Sequence, residues 1–125
     1  MKQRKKTETI KTPEFLYHLC SEKNWQNASK TALYSGSETD LRDGFIHLST
    51  AEQIARTAEL HFKGVKKLLL LTIASIEIYD HLKWEISREG QLFPHLHGKL
   101  NLSSVKEVKR LKTDSSGNHV IPKLQ

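Results

Sequence analysis

Gly44-Phe-Ile-His-Leu-Ser49, followed at once by Thr50-Ala-Glu-Gln53 and the stripe Ile54, Ala55, Ala58 and Phe62, decides the fold class. Its first half has the apolar density of a short strand. Its second half carries a capping-box pattern, a hydroxyl residue followed three positions on by Glu or Gln, ahead of one apolar helical stripe. Both Ser49-x-x-Glu52 and Thr50-x-x-Gln53 fit, and Gly64 is placed to end the helix. The chain has no glycine-rich strand–turn–helix, so the dinucleotide and P-loop folds are disfavoured.

Working outward, Phe15-Leu-Tyr-His-Leu-Cys20 predicts a first strand, and Ser21 with Trp25, Ala28, Ala32 and Leu33 predicts a capped helix over 22–32. Tyr34 to Gly44, rich in Gly, Ser and Asp, reads as a loop. Lys67 to Ala74, with four consecutive leucines, predicts a strand buried on both faces. Leu82 to Ile86 alternates like a strand, Phe93-Pro-His-Leu-His-Gly98 reads as a compact loop, and Val105 to Leu111 suits a final strand with one exposed face. This order predicts one two-layer α+β domain with two helices, which is what 125 residues can build. Its expected limits are residues 13–112, between a basic tail over 1–12 and a polar tail over 113–125.

The formal charge of +6 is unevenly placed: residues 1–11 carry net +4, residues 99–125 net +4, and the segment between them net −2. A basic chain raises the expectation of nucleic acid, but here the excess lies at the two ends, which leaves RNA as a partner of the flanks. No run approaches the roughly 18 apolar residues that span a bilayer, so no membrane partner is expected. The basic start is not followed by an apolar stretch, and Cys20 is the sole cysteine. A cytoplasmic setting is the simplest expectation.

The chemistry points to the seven histidines. His18 sits inside the first apolar strand and His47 inside the second. An imidazole among large apolar neighbours is partly desolvated and needs a partner for each ring nitrogen. Either alone reads as a core histidine; two in strands of like pattern suggest a shared cleft. Such residues donate, accept or exchange protons near neutral pH, which suits ribose hydroxyls and phosphates. Ser49, two residues after His47, points to the same face while the strand lasts, and it or Thr50 is expected to cap the helix, whose mouth favours anions. His95 and His97 have a spacing that suits metals, but no third ligand stands nearby, so no metal is expected. His95 instead suits the wall of a pocket, and His97 reads equally as a solvated turn residue. Glu85, beside Trp84, could act as an acid or base, although strand alternation turns it away from Trp84 and toward solvent. No nucleophile elbow is present, and Cys20 reads as a buried structural thiol.

The phrases Leu16-Tyr-His-Leu-Cys20, Gly44-Phe-Ile-His-Leu-Ser-Thr50, Glu52-Gln53, Lys83-Trp-Glu85 and Phe93-Pro-His-Leu-His-Gly-Lys-Leu-Asn101, in that order, resemble the small bacterial family known as domain of unknown function 952. The likeness runs from about Phe15 to Leu111, and His97 departs from it where a tyrosine is expected. The resemblance implies a fold similar to the ADP-ribosyltransferases, with RNA 2′-phosphotransferase among the nearer relatives: a bent, split, mixed sheet around a cleft for nicotinamide adenine dinucleotide (NAD). It implies a ribose contact for His18 and a place near the nicotinamide for His47, with Ser49 beside it. A third role falls on His95 as pocket lining or on Glu85 as the chemical group. The expected function is that of an NAD-dependent ADP-ribosyl- or RNA 2′-phosphotransferase-like enzyme. In it His47 and Glu85 are catalytic, His18, Ser49 and His95 bind, and NAD is a substrate. The alternative is a non-catalytic module that binds a nucleotide, RNA or protein on the same fold.

Overall fold

Every residue of Leu68–Ala74 is buried, as its apolar run requires, and the rest of the chain packs against the two faces of that strand. The structure, a computed structural model, describes residues 11–124. In chain order its elements are β1 (Phe15–Ser21), α1 (Glu22–Ser29), β2 (Leu33–Tyr34), α2 (Glu38–Asp43), β3 (Ile46–His47), α3 (Ile54–His61), β4 (Leu68–Ala74), β5 (Leu82–Ile86), β6 (Leu92–Leu96), β7 (Leu100–Asn101), β8 (Val105–Arg110), β9 (Lys112–Thr113) and β10 (His119–Val120). Two three-stranded sheets, β1-β4-β8 and β3-β6-β5, are accompanied by the pairs β2-β7 and β9-β10. Every strand pairing among the described residues is antiparallel, so the sheet is not the mixed one expected.

The two larger sheets meet at one bridge. The Tyr17 N–H donates to the Ser49 carbonyl and the Ser49 N–H to the Tyr17 carbonyl, each at 2.8 Å. Period-two alternation then divides the core. Leu69, Leu71 and Ile73 of β4 join Leu16 and Cys20 of β1 against Ile46, Leu48 and Leu96 of the second sheet. Leu68 and Leu70, with Tyr17 and Leu19, face the other way onto Ile54 and Ala58 of α3. His18 therefore shares the face of Leu16 and Cys20 and is directed at the second sheet.

Several expectations are corrected. The segment Tyr34 to Gly44 is not a loop: it contains a third helix, α2, opened by a complete Ser37/Asp40 capping box and closed by Gly44 at φ +87°. The α1 helix stops at Ser29 rather than residue 32, because Ala32 turns into the left-handed region. The α3 helix begins at Ile54 with Gln53 as its N-cap, and no side chain caps it. Only half of the anticipated box forms, with the Gln53 Oε1 accepting from the Thr50 N–H at 3.1 Å. Ser49 and Thr50 are thus not caps. Phe93 to Gly98 is mostly not a loop either, since Leu92–Leu96 is the central strand β6. Pro94 is tolerated there because its carbonyl still accepts from the Leu48 N–H at 3.0 Å, and the two-residue β3 ends beside it.

Beyond Leu111 the chain forms the β9-β10 hairpin, and Ile121 and Leu124 pack against the α3-side core. The polar tail expected from 113 is thus partly folded onto the domain. The basic tail expected over 1–12 lies, except for its last two residues, outside the described residues.

Leu71 is 0% exposed and lies opposite Val108, which is 39% exposed. Leu71→Ala should cost about 2–5 kcal/mol in chemical denaturation, by lost burial plus a residual cavity. Val108→Ala, on the same face but on the edge strand β8, where the side chain is half-exposed, should cost well under half of that; equal losses would contradict this core.

Candidate functional site

Alternation in the second sheet separates apolar from polar side chains. Ile46, Leu48, Leu96 and Trp84 turn into the core. The opposite face presents Phe45 and His47, then Phe93, His95 and His97, then Glu85, with His47 and His95 paired directly across the ladder. Their rings touch: His47 and His95 centroids lie 5.4 Å apart, and Phe45 stacks on His95 at 4.1 Å. Across the inter-sheet bridge, β1 adds His18 from the other side.

His18 is nearly sealed from solvent, and each of its ring nitrogens has a partner. Nδ1–H donates to the His47 carbonyl at 2.7 Å, so in the neutral ring Nε2 accepts from the Tyr34 hydroxyl at 2.8 Å. Burial lowers the His18 pKa, and burial also pushes the Tyr34 phenol far above its usual range, so both favour this neutral, hydrogen-bonded arrangement.

His47 is held differently. Its Nδ1–H donates to Asp40 Oδ1 at 2.6 Å, its backbone N–H reaches the same oxygen at 3.1 Å, and its Nε2 lies 3.1 Å from Asp43 Oδ2. The hydrogen bond to Asp40 raises the His47 pKa against the smaller opposing effect of burial. Asp40 itself is only 3% exposed. Burial is the strongest single influence on it and disfavours its charge. The His47 bond, the His18 ring and the Ser37 and His47 amides together outweigh burial and hold its pKa below the usual value. The side chain that completes the α2 capping box is thus also the anchor of His47.

The third histidine has its own carboxylate. His95 Nδ1–H donates to Glu85 Oε1 at 2.7 Å, and His97 Nε2–H donates to the same oxygen at 2.9 Å. These two bonds, that from His97 first, lower the Glu85 pKa, while burial lowers that of His95. Glu85 does not simply face solvent as alternation suggested: the face it points to is the histidine face. The Glu85, His95 and His97 ligand atoms lie within 4.8 Å of one another, so the third ligand missing from the local sequence is supplied from β5. Both imidazole nitrogens, however, converge on a single carboxylate oxygen at hydrogen-bond distance. Ligands around a tetrahedral ion with bonds near 2.0–2.1 Å stand about 3.3 Å apart. The geometry is that of a hydrogen-bonded cluster orienting His95.

His18, His47, Ser49 and His95 line one cleft of about 610 Å³, within the roughly 300–1,000 Å³ usual for small-molecule sites. Ser49 is buried, and its hydroxyl meets Thr57 of α3 at 3.2 Å. Glu85 is not a lining residue and acts on the cleft only through His95. Several lining residues escaped the sequence reading, Asp40 and Arg88 foremost, with Glu38, Asp43 and Thr57 beside them. The Ser37-x-x-Asp40 pattern was a local signal for the first; Arg88, in the β5–β6 turn, carries none. Cys20 is buried with its thiol pushed up by burial to about 11, which removes it as a nucleophile at neutral pH.

The family described as "Protein of unknown function (DUF952)" matches residues 19–108. The crystal structure of protein CC0527 from Caulobacter crescentus superposes with a TM-score of 0.82 at 39% identity, covering 85% of this chain and 93% of that one. The solution structure of the same protein gives 0.75 at 39% identity, over 84% and 90%. Among curated proteins none matches the chain.

The balance between burial and carboxylate partners predicts opposite titrations. By histidine NMR, His47 should titrate above its ordinary 6.5 and His18 and His95 below theirs. Asp40→Asn should drop the His47 value below that of the wild type. For stability, the raised His47 contributes fully below 6.5, and its contribution fades as pH climbs through its folded value. The depressed His18 contributes fully above 6.5, and its contribution is lost as pH falls through its folded value. Unchanged His47 titration in Asp40→Asn would contradict the pairing.

Proposed function

The chain belongs to the DUF952 family, and from its histidine cleft we propose an NAD-dependent transferase of the ADP-ribosyltransferase or RNA 2′-phosphotransferase kind. The observation that carries this reading is the His47–His95 pair, two imidazoles 5.4 Å apart whose surroundings drive their pKa values in opposite directions. Such a split assigns the acid and base of a site. His47, backed by Asp40 and Asp43, is the cationic partner that orients the nicotinamide ribose and its neighbouring oxygens. His95, whose Nδ1–H is committed to Glu85, presents Nε2 as the base, and Glu85 serves as a positioning residue.

In the transfer step the bond between the ribose anomeric carbon and the nicotinamide ring nitrogen breaks. Its electron pair goes to that nitrogen, and neutral nicotinamide leaves. An acceptor oxygen, a hydroxyl or a 2′-phosphate, bonds to the same carbon, and any proton it carries passes to His95 Nε2. Asp43 and Glu38, both lining the cleft on α2, favour the oxocarbenium-like charge that develops meanwhile. His18 holds the β3 carbonyl in place rather than offering a free hydrogen bond, since both its nitrogens are engaged.

Calorimetry should detect binding of NAD, ADP-ribose or a 2′-phosphorylated RNA at millimolar concentration or below, and the protein should release nicotinamide from NAD. His47→Ala should lower release at least tenfold. Glu85→Gln should reduce turnover and move the acidic limb of the pH profile to lower pH, because the His95 base loses the carboxylate that raises its pKa. Absence of binding by all three ligands defeats the reading. A second reading, a non-catalytic nucleotide-binding module, is favoured by the placement of Glu85, which lies off the cleft with its oxygen taken by two imidazoles. Binding without any nicotinamide release would select it.

A further inference from the structure

The β5–β6 connection is a tight turn in which the Ser87 N–H donates to the Gln91 carbonyl at 2.8 Å and the Gly90 N–H to the Ser87 carbonyl at 3.2 Å. Glu89 is driven to φ +57° and Gly90 to φ +72°, so the turn has a defined shape. Side chains dock it on α3: Gln53 Nε2 donates to the Leu92 carbonyl at 2.9 Å, and Arg56 pairs with Glu89 at 3.4 Å. The residue this turn delivers into the cleft is Arg88.

The surroundings of Arg88 are unusual for a half-buried cation. Nη1–H donates to the Thr57 hydroxyl at 3.0 Å, and the guanidinium carbon sits 4.8 Å from the centre of the Phe93 ring. No carboxylate among the described residues forms an ion pair with it, although Glu59, Glu85 and Glu89 each pair with other groups nearby in the fold. Its Nε–H is shut off from water without an acceptor among the described residues. A guanidinium stripped of water normally gains a carboxylate or another anion in exchange. Here it gains a neutral hydroxyl and an aromatic face, which fix its plane and leave its charge uncompensated.

Thr57 shows that the hydroxyl cannot fill that gap. Its own O–H is directed to the Gln53 carbonyl at 3.2 Å, so its oxygen only accepts from Arg88 and from Ser49. Only one Nη1–H of Arg88 is committed; with Nε enclosed, the second Nη1–H and the two Nη2–H groups, which have no partner among the described residues, are the donors left for an oxyanion in the cleft.

We infer that Arg88, fixed by Thr57 and Phe93, is the phosphate-recognising subsite of this cleft and takes the diphosphate of a nucleoside-diphosphate ligand. The inference deepens the transferase reading, for it separates the cleft into a phosphoryl-binding station at the β5–β6 turn and a reacting station at His47 and His95. It also assigns the charge of the ligand: anionic groups go to Arg88, and the ribose that becomes cationic goes to the α2 wall that bears Asp43 and Glu38.

The test compares inorganic pyrophosphate, ADP-ribose and adenosine by calorimetry on the wild type, Arg88→Lys and Arg88→Met. Pyrophosphate and ADP-ribose should bind the wild type, with affinity falling as salt rises, and Arg88→Met should weaken both at least tenfold. Arg88→Lys should fall between, keeping charge and losing the fork, while adenosine should be indifferent to either change. Equal pyrophosphate affinity in wild type and Arg88→Met overturns the inference, as does failure of the wild type to bind it at 10 mM, roughly the weak end of specific recognition. If Arg88→Met does not fold, the wild-type Arg88 Nε–H resonance decides: it should shift on adding pyrophosphate, and a silent resonance overturns the assignment. Pyrophosphate binding that depends on Arg88, in a protein that releases no nicotinamide, would uphold the subsite and reject the transfer chemistry.

Discussion

Two backbone hydrogen bonds, between Tyr17 and Ser49, hold the candidate site together. They are the seam where the β1-β4-β8 sheet meets the β3-β6-β5 sheet. At that seam the inward side chain of β1 faces the carbonyl of β3, which is how His18 Nδ1 comes to lie 2.7 Å from the His47 oxygen. Sheets packed only through side chains would tolerate small slides of one against the other. Directional amide bonds do not, because their strength falls steeply with misalignment. The separation of the three imidazoles is thereby tied to backbone geometry.

From that seam the site divides its carboxylates with economy. Asp40 answers to the N-terminus of its own helix, to the His47 ring and to the His47 amide, so one buried charge is satisfied by several donors at once. Glu85, itself partly exposed, accepts from both His95 and His97 from the opposite edge of the sheet. The two histidines that face each other across β3 and β6 have pKa values shifted in opposite directions, His47 upward by its bond to Asp40 and His95 downward by burial. Chemical distinction between identical side chains comes here from what stands behind them.

Much of this is legible in the amino-acid sequence. The density of Phe15 to Cys20 and of Leu68 to Ala74 marked β1 and β4. The period-two run Ile46-His47-Leu48-Ser49 put His47 and Ser49 on the face they occupy. What local pattern did not disclose depended on distant partners or on competing signals. Pro94 argued for a loop, and only its neighbours reveal a strand that does without one N–H. Asp40 sat in a polar stretch whose Ser37-x-x-Asp40 signal was outweighed by its glycine and serine content. Ser49 and Thr50 matched a capping box, yet the helix starts later because the Ser49 backbone is engaged by Tyr17 and its hydroxyl by Thr57. Ile121 and Leu124 are two apolar residues in a polar segment, and their burial depends on a surface made by α3 and its sheet.

The contact between His18 and the His47 carbonyl spans 29 residues, and β3 meets β6 across a longer stretch still. Closing such loops costs chain entropy before any contact repays it, so topologies of this kind form slowly. The cleft therefore has no partial version: a chain with only its local turns and helices formed has no place where these imidazoles meet. A molecule held in the cleft acts on the native state alone, and its effect on persistence is to lengthen the lifetime of the folded protein. Occupancy of the cleft and resistance to proteolysis are then two readings of one equilibrium.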